Sequence, residues 1–329
     1  MTAAMIDVFG RRVSYVRLSV TDRCDFRCRY CMAEDMHFRP SDELMSFHEI
    51  ETLVDLLVER GVTKLRLTGG EPLVRRDILD LVVRLGARIG RGLDELTLTT
   101  NGSQLAGAAE HLFASGVRRV NVSLDSLDPA RFAHITRRGR LDQVMAGIAT
   151  AKAAGLLVKI NMVALRGLNE DEIEPMLRWC GEQGFDLTLI ETMPLGEVDD
   201  DRTEHYLPLG EVKRKLGERF TLVPSLARTG GPARYFDIAE LGVRVGFITP
   251  ISDNFCSGCN RIRVTAAGAA YGCLGHDGKV ELRDLLRSGN LAGAAAALDA
   301  LVAAKPERHR FDISATSPAV ERHMSVTGG

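Results

Sequence analysis

The run Val62-Thr63-Lys64-Leu65-Arg66-Leu67-Thr68-Gly69-Gly70-Glu71-Pro72 decides the fold. Val62 to Thr68 is a β-type run, and the glycines and proline behind it end it sharply. A helical pattern from Arg76 to Ile89 follows, then a second β-type run from Glu95 to Thr99. Outward from this strand–helix–strand unit the same alternation recurs. Val13 to Val20 lies before it, and Val117 to Ser123, Leu156 to Val163 and Asp186 to Glu191 lie after it. These runs are rich in Val, Leu and Ile and tolerate burial on both faces. Ser46-Phe47-His48-Glu49 has capping-box spacing and opens an amphipathic run to Arg60. Gln104 to Ala114, Leu141 to Ala154 and Glu170 to Gln183 are the remaining helical patterns. Gly61, Gly116, Gly155 and Gly184 stand where helices stop.

Six such β-then-α units imply a parallel sheet with right-handed crossovers. Eight would close a barrel, whereas six leave a slot to be covered. The expected class is α/β: a partial (β/α)6 TIM-type barrel with a C-terminal α+β extension covering the open side. The pattern breaks near Met193. Pro194 to Pro208 is polar and acidic and reads as a linker or flexible loop. Phe220 to Val223, Ala233 to Ile238 and Val243 to Ile248 read as short antiparallel strands. Arg261 to Thr265 and helices near Leu282 to Leu286 and Leu291 to Ala303 follow. The expected division is residues 1–200 for the barrel and 201–329 for the extension, with a mobile tail.

The 329 residues carry a formal net charge of −2, which argues against a nucleic-acid partner. No apolar stretch is long enough to span a membrane. The opening residues, Met1 to Asp7, lack a secretory signal. A cytoplasmic protein is expected, with its seven cysteines reduced. Cys180, beside Trp179 in a helical pattern, reads as core.

The other cysteines form two trios. Cys24, Cys28 and Cys31 follow the first strand. Three thiolates can close on one metal centre and leave a coordination position open. Spacing alone admits a zinc knuckle or an iron–sulfur cube. In a parallel β/α sheet, ligands bind at the C-terminal strand ends. Nearly every unusual residue lies there: the cysteines, Gly69 to Pro72, Thr99 to Gly102, Ser123 to Ser126, Lys159 with Asn161, and Glu191 to Pro194. Cys256 and Cys259, with Cys273 thirteen residues beyond, form the second trio. Zinc with His276 as fourth ligand and an iron–sulfur cluster stay equally open on its spacing. Arg17, Arg66, Lys159, Arg261 and Arg263 are candidate phosphate-binding cations. Arg17 and Arg66 interrupt apolar strands, and a charge inside a barrel must find a partner. Arg261 and Arg263, two apart on a strand, share a face. Glu71 and Asp125 also lie at the expected mouth, where carboxylates can pair with the arginines.

Cys-x3-Cys-x2-Cys with Tyr30 before the last cysteine, followed by Gly-Gly-Glu-Pro, resembles the radical S-adenosylmethionine enzymes. Cys-x2-Cys-x13-Cys, Asp253-Asn254-Phe255-Cys256, Asn260-Arg261-Ile262-Arg263 and the terminal Gly328-Gly329 narrow the resemblance. They are similar to the GTP 3′,8-cyclases of molybdenum cofactor biosynthesis, from about Arg17 to the last residue. The resemblance implies a lyase-type enzyme with two [4Fe–4S] clusters, one held by Cys24, Cys28 and Cys31 and one by Cys256, Cys259 and Cys273. Tyr30, Gly70, Ser123 and Met193 correspond to S-adenosylmethionine contacts. Arg17, Arg66, Thr99, Lys159, Arg261, Ile262 and Arg263 correspond to GTP contacts. Arg17, Gly328 and Gly329 take catalytic roles, the tail reaching into the site. A 5′-deoxyadenosyl radical would remove hydrogen from C3′ of GTP, and the carbon radical would attack C8. The product, 3′,8-cyclo-7,8-dihydro-GTP, would pass to cyclic pyranopterin monophosphate synthase. The resemblance leaves the electron donor unnamed and admits a homodimer. The other readings are a two-cluster radical dehydrogenase and a structural two-zinc protein.

Overall fold

The computed structural model describes residues 4–200, 202–315 and 317–328. Its strands lie where the Val, Leu and Ile runs are: β1 (Tyr15–Ser19), β2 (Lys64–Thr68), β3 (Glu95–Thr100), β4 (Arg119–Ser123), β5 (Leu157–Ala164) and β6 (Asp186–Glu191). These six pair in parallel and in sequence order. The helices between them are α1 (Phe47–Glu59), α2 (Ile78–Gly86), α3 (Leu105–Ala114), α4 (Pro129–Thr136), α5 (Leu141–Ala153) and α6 (Ile173–Gln183). The capping box at α1 is made: Ser46 Oγ accepts from Glu49 N at 3.2 Å, and Glu49 Oε2 accepts from Ser46 N at 2.6 Å. α2 starts later than the pattern suggests, because Asp77 sits at φ 57° ahead of it. Leu53, Leu57, Leu81 and Leu85 bury one face of α1 and α2 against the sheet, and Cys180 is fully buried on α6.

The second half adds β7 (Val223–Pro224), β8 (Arg234–Ile238), β9 (Val243–Ile248), β10 (Arg261–Val264), β11 (Ala269–Tyr271) and β12 (Lys279–Glu281). It also adds α7 (Leu209–Gly217), α8 (Arg283–Arg287), α9 (Leu291–Ala303) and α10 (Met324–Thr327). β8 and β9 are antiparallel to one another, as expected. β9 also pairs in parallel with β6, and β10 pairs in parallel with β1. The sheet order is β12-β11-β10-β1-β2-β3-β4-β5-β6-β9-β8-β7, an open partial barrel whose parallel part is extended at both edges. The extension therefore continues the barrel wall as well as covering its slot.

Two expected mobile stretches are docked. Leu195 bridges Val320, and Ala319 N donates to Pro194 O at 2.9 Å. Arg29 pairs with Asp200 at 3.0 Å and Arg137 with Asp199 at 2.8 Å. In the tail, Ser325 and Thr327 on α10 are buried. Polar composition hid this docking, because the tail seats on polar groups inside the barrel. No helix among the described residues is long and apolar enough to cross a membrane.

Candidate active site

The inward face of the barrel is a ladder of polar side chains. Strand register sets Arg263 beside Arg17, and Arg17 beside Arg66. Neighbouring strands lie about 4.8 Å apart, so three guanidinium side chains rise from one rung. Further round the wall, Thr99 is level with Asn121, and Asn121 with Lys159. Burial, then the charge of Arg263, pushes Arg17 well below the usual arginine value. Burial and Arg261 bring Arg263 down to about 10. Lys159 is only 5% exposed. Burial, then Arg66 and Arg119, lower it to about 7. Such crowding of like charge is the electrostatic form of an anion site. Arg66 Nη1 donates to Thr99 Oγ1 at 3.2 Å. Lys159 Nζ donates to the Tyr235 hydroxyl and lies 4.6 Å from that ring's centre.

At one end of this face, the loop after β1 carries Cys24, Cys28 and Cys31. Cys24 Sγ accepts from Phe26 N at 3.4 Å and from the Asn101 amide at 3.8 Å. A Cβ on Gly70 would stand 2.7 Å from Asp22 O and 2.6 Å from Arg23 C, so the turn after β2 packs directly on the cysteine loop. Asp125 braces this loop, and Glu71 ties the turn after β2 to the end of β3, instead of pairing with the arginines. Glu71 accepts from Leu73 N at 3.0 Å, Thr100 Oγ1 at 2.8 Å and Asn101 N at 2.6 Å. Asp125 accepts from the Tyr30 hydroxyl at 2.7 Å and Val163 N at 2.9 Å. Burial raises Glu71 to about 7 and Asp125 to about 6.

At the other end, Cys256 and Cys259 flank a single tight turn before β10, and Cys273 follows β11. Burial would raise the Cys259 thiol, but Arg261 and Lys305 outweigh it and bring it to about 7. Lys305 Nζ donates to Cys259 Sγ at 3.3 Å.

One cavity of about 270 Å³ is lined by all six of these cysteines. Arg17, Arg66, Thr99, Lys159, Arg261 and Arg263 line it too, as do Tyr30, Gly70, Ser123 and Met193. Ile262 lines it too, but the residue is 1% exposed and belongs to the hydrophobic core, between Arg261 and Arg263 on β10. Gly328 is not a wall residue, but its carbonyl accepts from Arg263 Nη1. Its φ is +77°, and a Cβ there would overlap the Thr68 side chain. Gly329 lies outside the described residues. Tyr15, Tyr235, the Thr229–Ala233 segment, His309 and Lys305 escaped sequence reasoning. Gly230-Gly231-Pro232 was the available signal for the segment.

The residues fit iron–sulfur clusters. Each trio offers three soft sulfur donors, none of them in a disulfide. His276, the expected fourth zinc ligand, is engaged with Arg308 O at 3.0 Å. Among the described residues, no three Cys, His, Asp or Glu side chains converge as a single ion requires. A buried ammonium on a cysteine sulfur suits a thiolate held in an anionic cluster.

The radical SAM superfamily model matches residues 18–180, and the Molybdenum Cofactor Synthesis C model matches residues 185–311. A GTP 3′,8-cyclase of Erythrobacter litoralis is 56% identical over 99% of this chain and 98% of its own length. One of Rhizobium meliloti is 55% identical over 100% and 95%. The chain belongs to the GTP 3′,8-cyclase family. As a member of that family it is a radical S-adenosylmethionine enzyme of molybdenum cofactor biosynthesis that uses iron–sulfur clusters. Streptococcus suis SuiB bound to S-adenosylmethionine shares the fold: TM-score 0.61, 17% identity, 92% of this chain and 78% of that one. In this chain the radical SAM match runs from within β1 to within α6, and the second match carries the other trio.

Proposed function

We propose that this chain converts GTP to 3′,8-cyclo-7,8-dihydro-GTP, an early step of molybdenum cofactor biosynthesis. The observation that carries the proposal is the single cavity with a cysteine trio at each end and a rung of arginines between. Cys24, Cys28 and Cys31 would hold the cluster that supplies the electron for S-adenosylmethionine cleavage, and Cys256, Cys259 and Cys273 a second cluster beside the guanine.

The protein's own work is binding, orientation and exclusion of water. Arg17, Arg66, Lys159, Arg261 and Arg263 neutralise the triphosphate, whose anionic oxygens relieve the repulsion among them. Thr99, hydrogen-bonded to Arg66, orients that guanidinium, and Ile262 adds a further contact. Gly70 leaves the methionine part of S-adenosylmethionine access to backbone, with Ser123 and Met193 around it. Tyr30, hydrogen-bonded to Asp125, fixes the loop wall. The hydrogen atom of C3′ would pass to the 5′-deoxyadenosyl radical, giving 5′-deoxyadenosine. The C3′ radical would bond to C8 as the C8–N7 double bond opens, leaving a nucleotide radical that one electron and one proton close. C3′ must therefore face the adenosyl side. The tail at Gly328 buttresses Arg263 during this step rather than holding iron.

Residues 1–200 supply the radical chemistry and 201–329 the second cluster and the tail. A low-potential cytoplasmic reductant supplies both electrons, one for S-adenosylmethionine cleavage and one to close the nucleotide radical, and cyclic pyranopterin monophosphate synthase takes the product. The arrangement is compatible with a homodimer. The test is anaerobic incubation with GTP, S-adenosylmethionine and dithionite. 5′-Deoxyadenosine and a cyclised nucleotide formed only when GTP is present support the proposal. A colourless protein holding two zinc ions and forming neither product would overturn it.

A further inference from the structure

Three cations stand behind the second cysteine trio, each addressing a different cysteine. Arg11, paired with Asp7 at 2.6 Å, donates to Cys256 O at 2.9 Å and to Pro306 O and Glu307 O at 2.7 Å each. Arg322 donates to Cys273 O at 3.3 Å and Leu274 O at 2.7 Å, and lies 4.0 Å from the centre of the Tyr271 ring. Both arginines hold main-chain carbonyls, so they shape the loops that present the sulfurs.

Lys305 is different. It follows α9, is 2% exposed, and donates from Nζ to Gly272 O at 2.7 Å and to Cys259 Sγ at 3.3 Å. One ammonium thus ties the Cys259 sulfur to the residue before Cys273, and it is the cation of the three with a hydrogen bond to sulfur. The first trio has a different setting. Cys24 Sγ meets neutral donors, the Phe26 N–H and the Asn101 amide, and the same amide is hydrogen-bonded to Asp25 at 2.7 Å.

Reducing an iron–sulfur cluster by one electron adds one negative charge to a unit already anionic through its thiolates. A cation hydrogen-bonded to a ligating sulfur, in a water-poor setting, stabilises the reduced form more than the oxidised one. Hydrogen bonds to cluster sulfurs are among the main determinants of cluster potential.

We infer that Lys305 is a positioning residue for the second cluster whose ammonium, through the Cys259 sulfur, raises that cluster's reduction potential. The inference rests on the reading above that Cys256, Cys259 and Cys273 hold a cluster. A neutral side chain at this position would leave the cluster harder to reduce.

The full-length chain, reconstituted anaerobically with both clusters, is titrated with dithionite and redox mediators and followed by electron paramagnetic resonance. The C24A/C28A/C31A variant, with the second trio alone, assigns its signal. Lys305→Met and Lys305→Gln should each lower the ratio of reduced to oxidised second cluster about tenfold at a fixed potential, some 59 mV for one electron. The first cluster should stay where it is, and Lys305→Arg should recover part of the shift. Glutamine keeps a donor without the charge, so it separates charge from packing. Unchanged potentials, equal shifts in both clusters, or loss of second-trio iron in both neutral variants would overturn the inference, the last by making Lys305 a strut. A wild-type protein with no second cluster would overturn the proposed function instead.

Discussion

Lys159 offers a direct test of the anion site, because binding there should move a proton. The ammonium is 5% exposed and is brought down to about 7 by burial and by Arg66 and Arg119. At pH 8 roughly nine lysines in ten would then be neutral in the empty site. A triphosphate placed beside Nζ favours the charged form and returns the group towards the ordinary lysine range. GTP binding at pH 8 should therefore take up about 0.9 proton per chain, about 0.5 at pH 7 and about 0.1 at pH 6. Over this range the observed affinity should fall as pH rises, approaching tenfold per unit above pH 7. The sign for folding follows from the same depression. The unfolded lysine holds its proton up to about 10.5, so in the empty protein this residue opposes folding most below pH 7, and the penalty shrinks as pH rises. The assay is anaerobic calorimetry of GTP binding, without S-adenosylmethionine or reductant, in two buffers of different ionisation enthalpy. Lys159→Met should abolish the uptake. Equal proton uptake in wild type and variant would refute the assignment of Lys159 to the triphosphate.

Gly70→Ala should push the cysteine loop away, because its Cβ would lie 2.7 Å from Asp22 O. Overpacking of this kind costs about 1–3 kcal/mol, so iron analysis should show first-trio iron lost and second-trio iron kept, with at least a tenfold drop in 5′-deoxyadenosine. Removing Gly328 and Gly329 should leave iron content unchanged and suppress cyclised product, as measured by chromatography. Unchanged turnover would end the proposed role of the tail. Glu71→Gln exchanges an acceptor for a donor against three hydrogen-bond donors. It should destabilise the fold by about 1–3 kcal/mol, visible as a lower thermal midpoint with the second cluster intact.

The sequence revealed the barrel strands because burial on both faces demands continuous apolar runs, and β6 matches its expected span at both ends. Arg17 and Arg66 were legible as interruptions of such runs. α4 was passed over although Asp128-Pro129 signals its start: Asp128 accepts from Arg131 N at 2.7 Å, with proline in the first turn. The pairing of β10 with β1 and of β9 with β6 left no local trace, since periodicity reports which face is apolar and not which distant strand lies alongside. Lys305 and Arg322 sit in polar stretches where a charge ordinarily means solvent exposure. Only the assembled fold turns them inward.

The marriage of β1 to β10 has a bearing on biosynthesis. The Ser14–Asn260 contact at its start spans 246 residues of chain. At roughly 5–20 residues per second, the ribosome needs on the order of 12–50 seconds after exposing the first strand before it can deliver that strand's outer neighbour. Throughout that wait one margin of the nascent sheet is bare, and Arg17 already stands on it. Until the late-arriving segment closes the wall, the loop carrying Cys24, Cys28 and Cys31 stands beside that open edge.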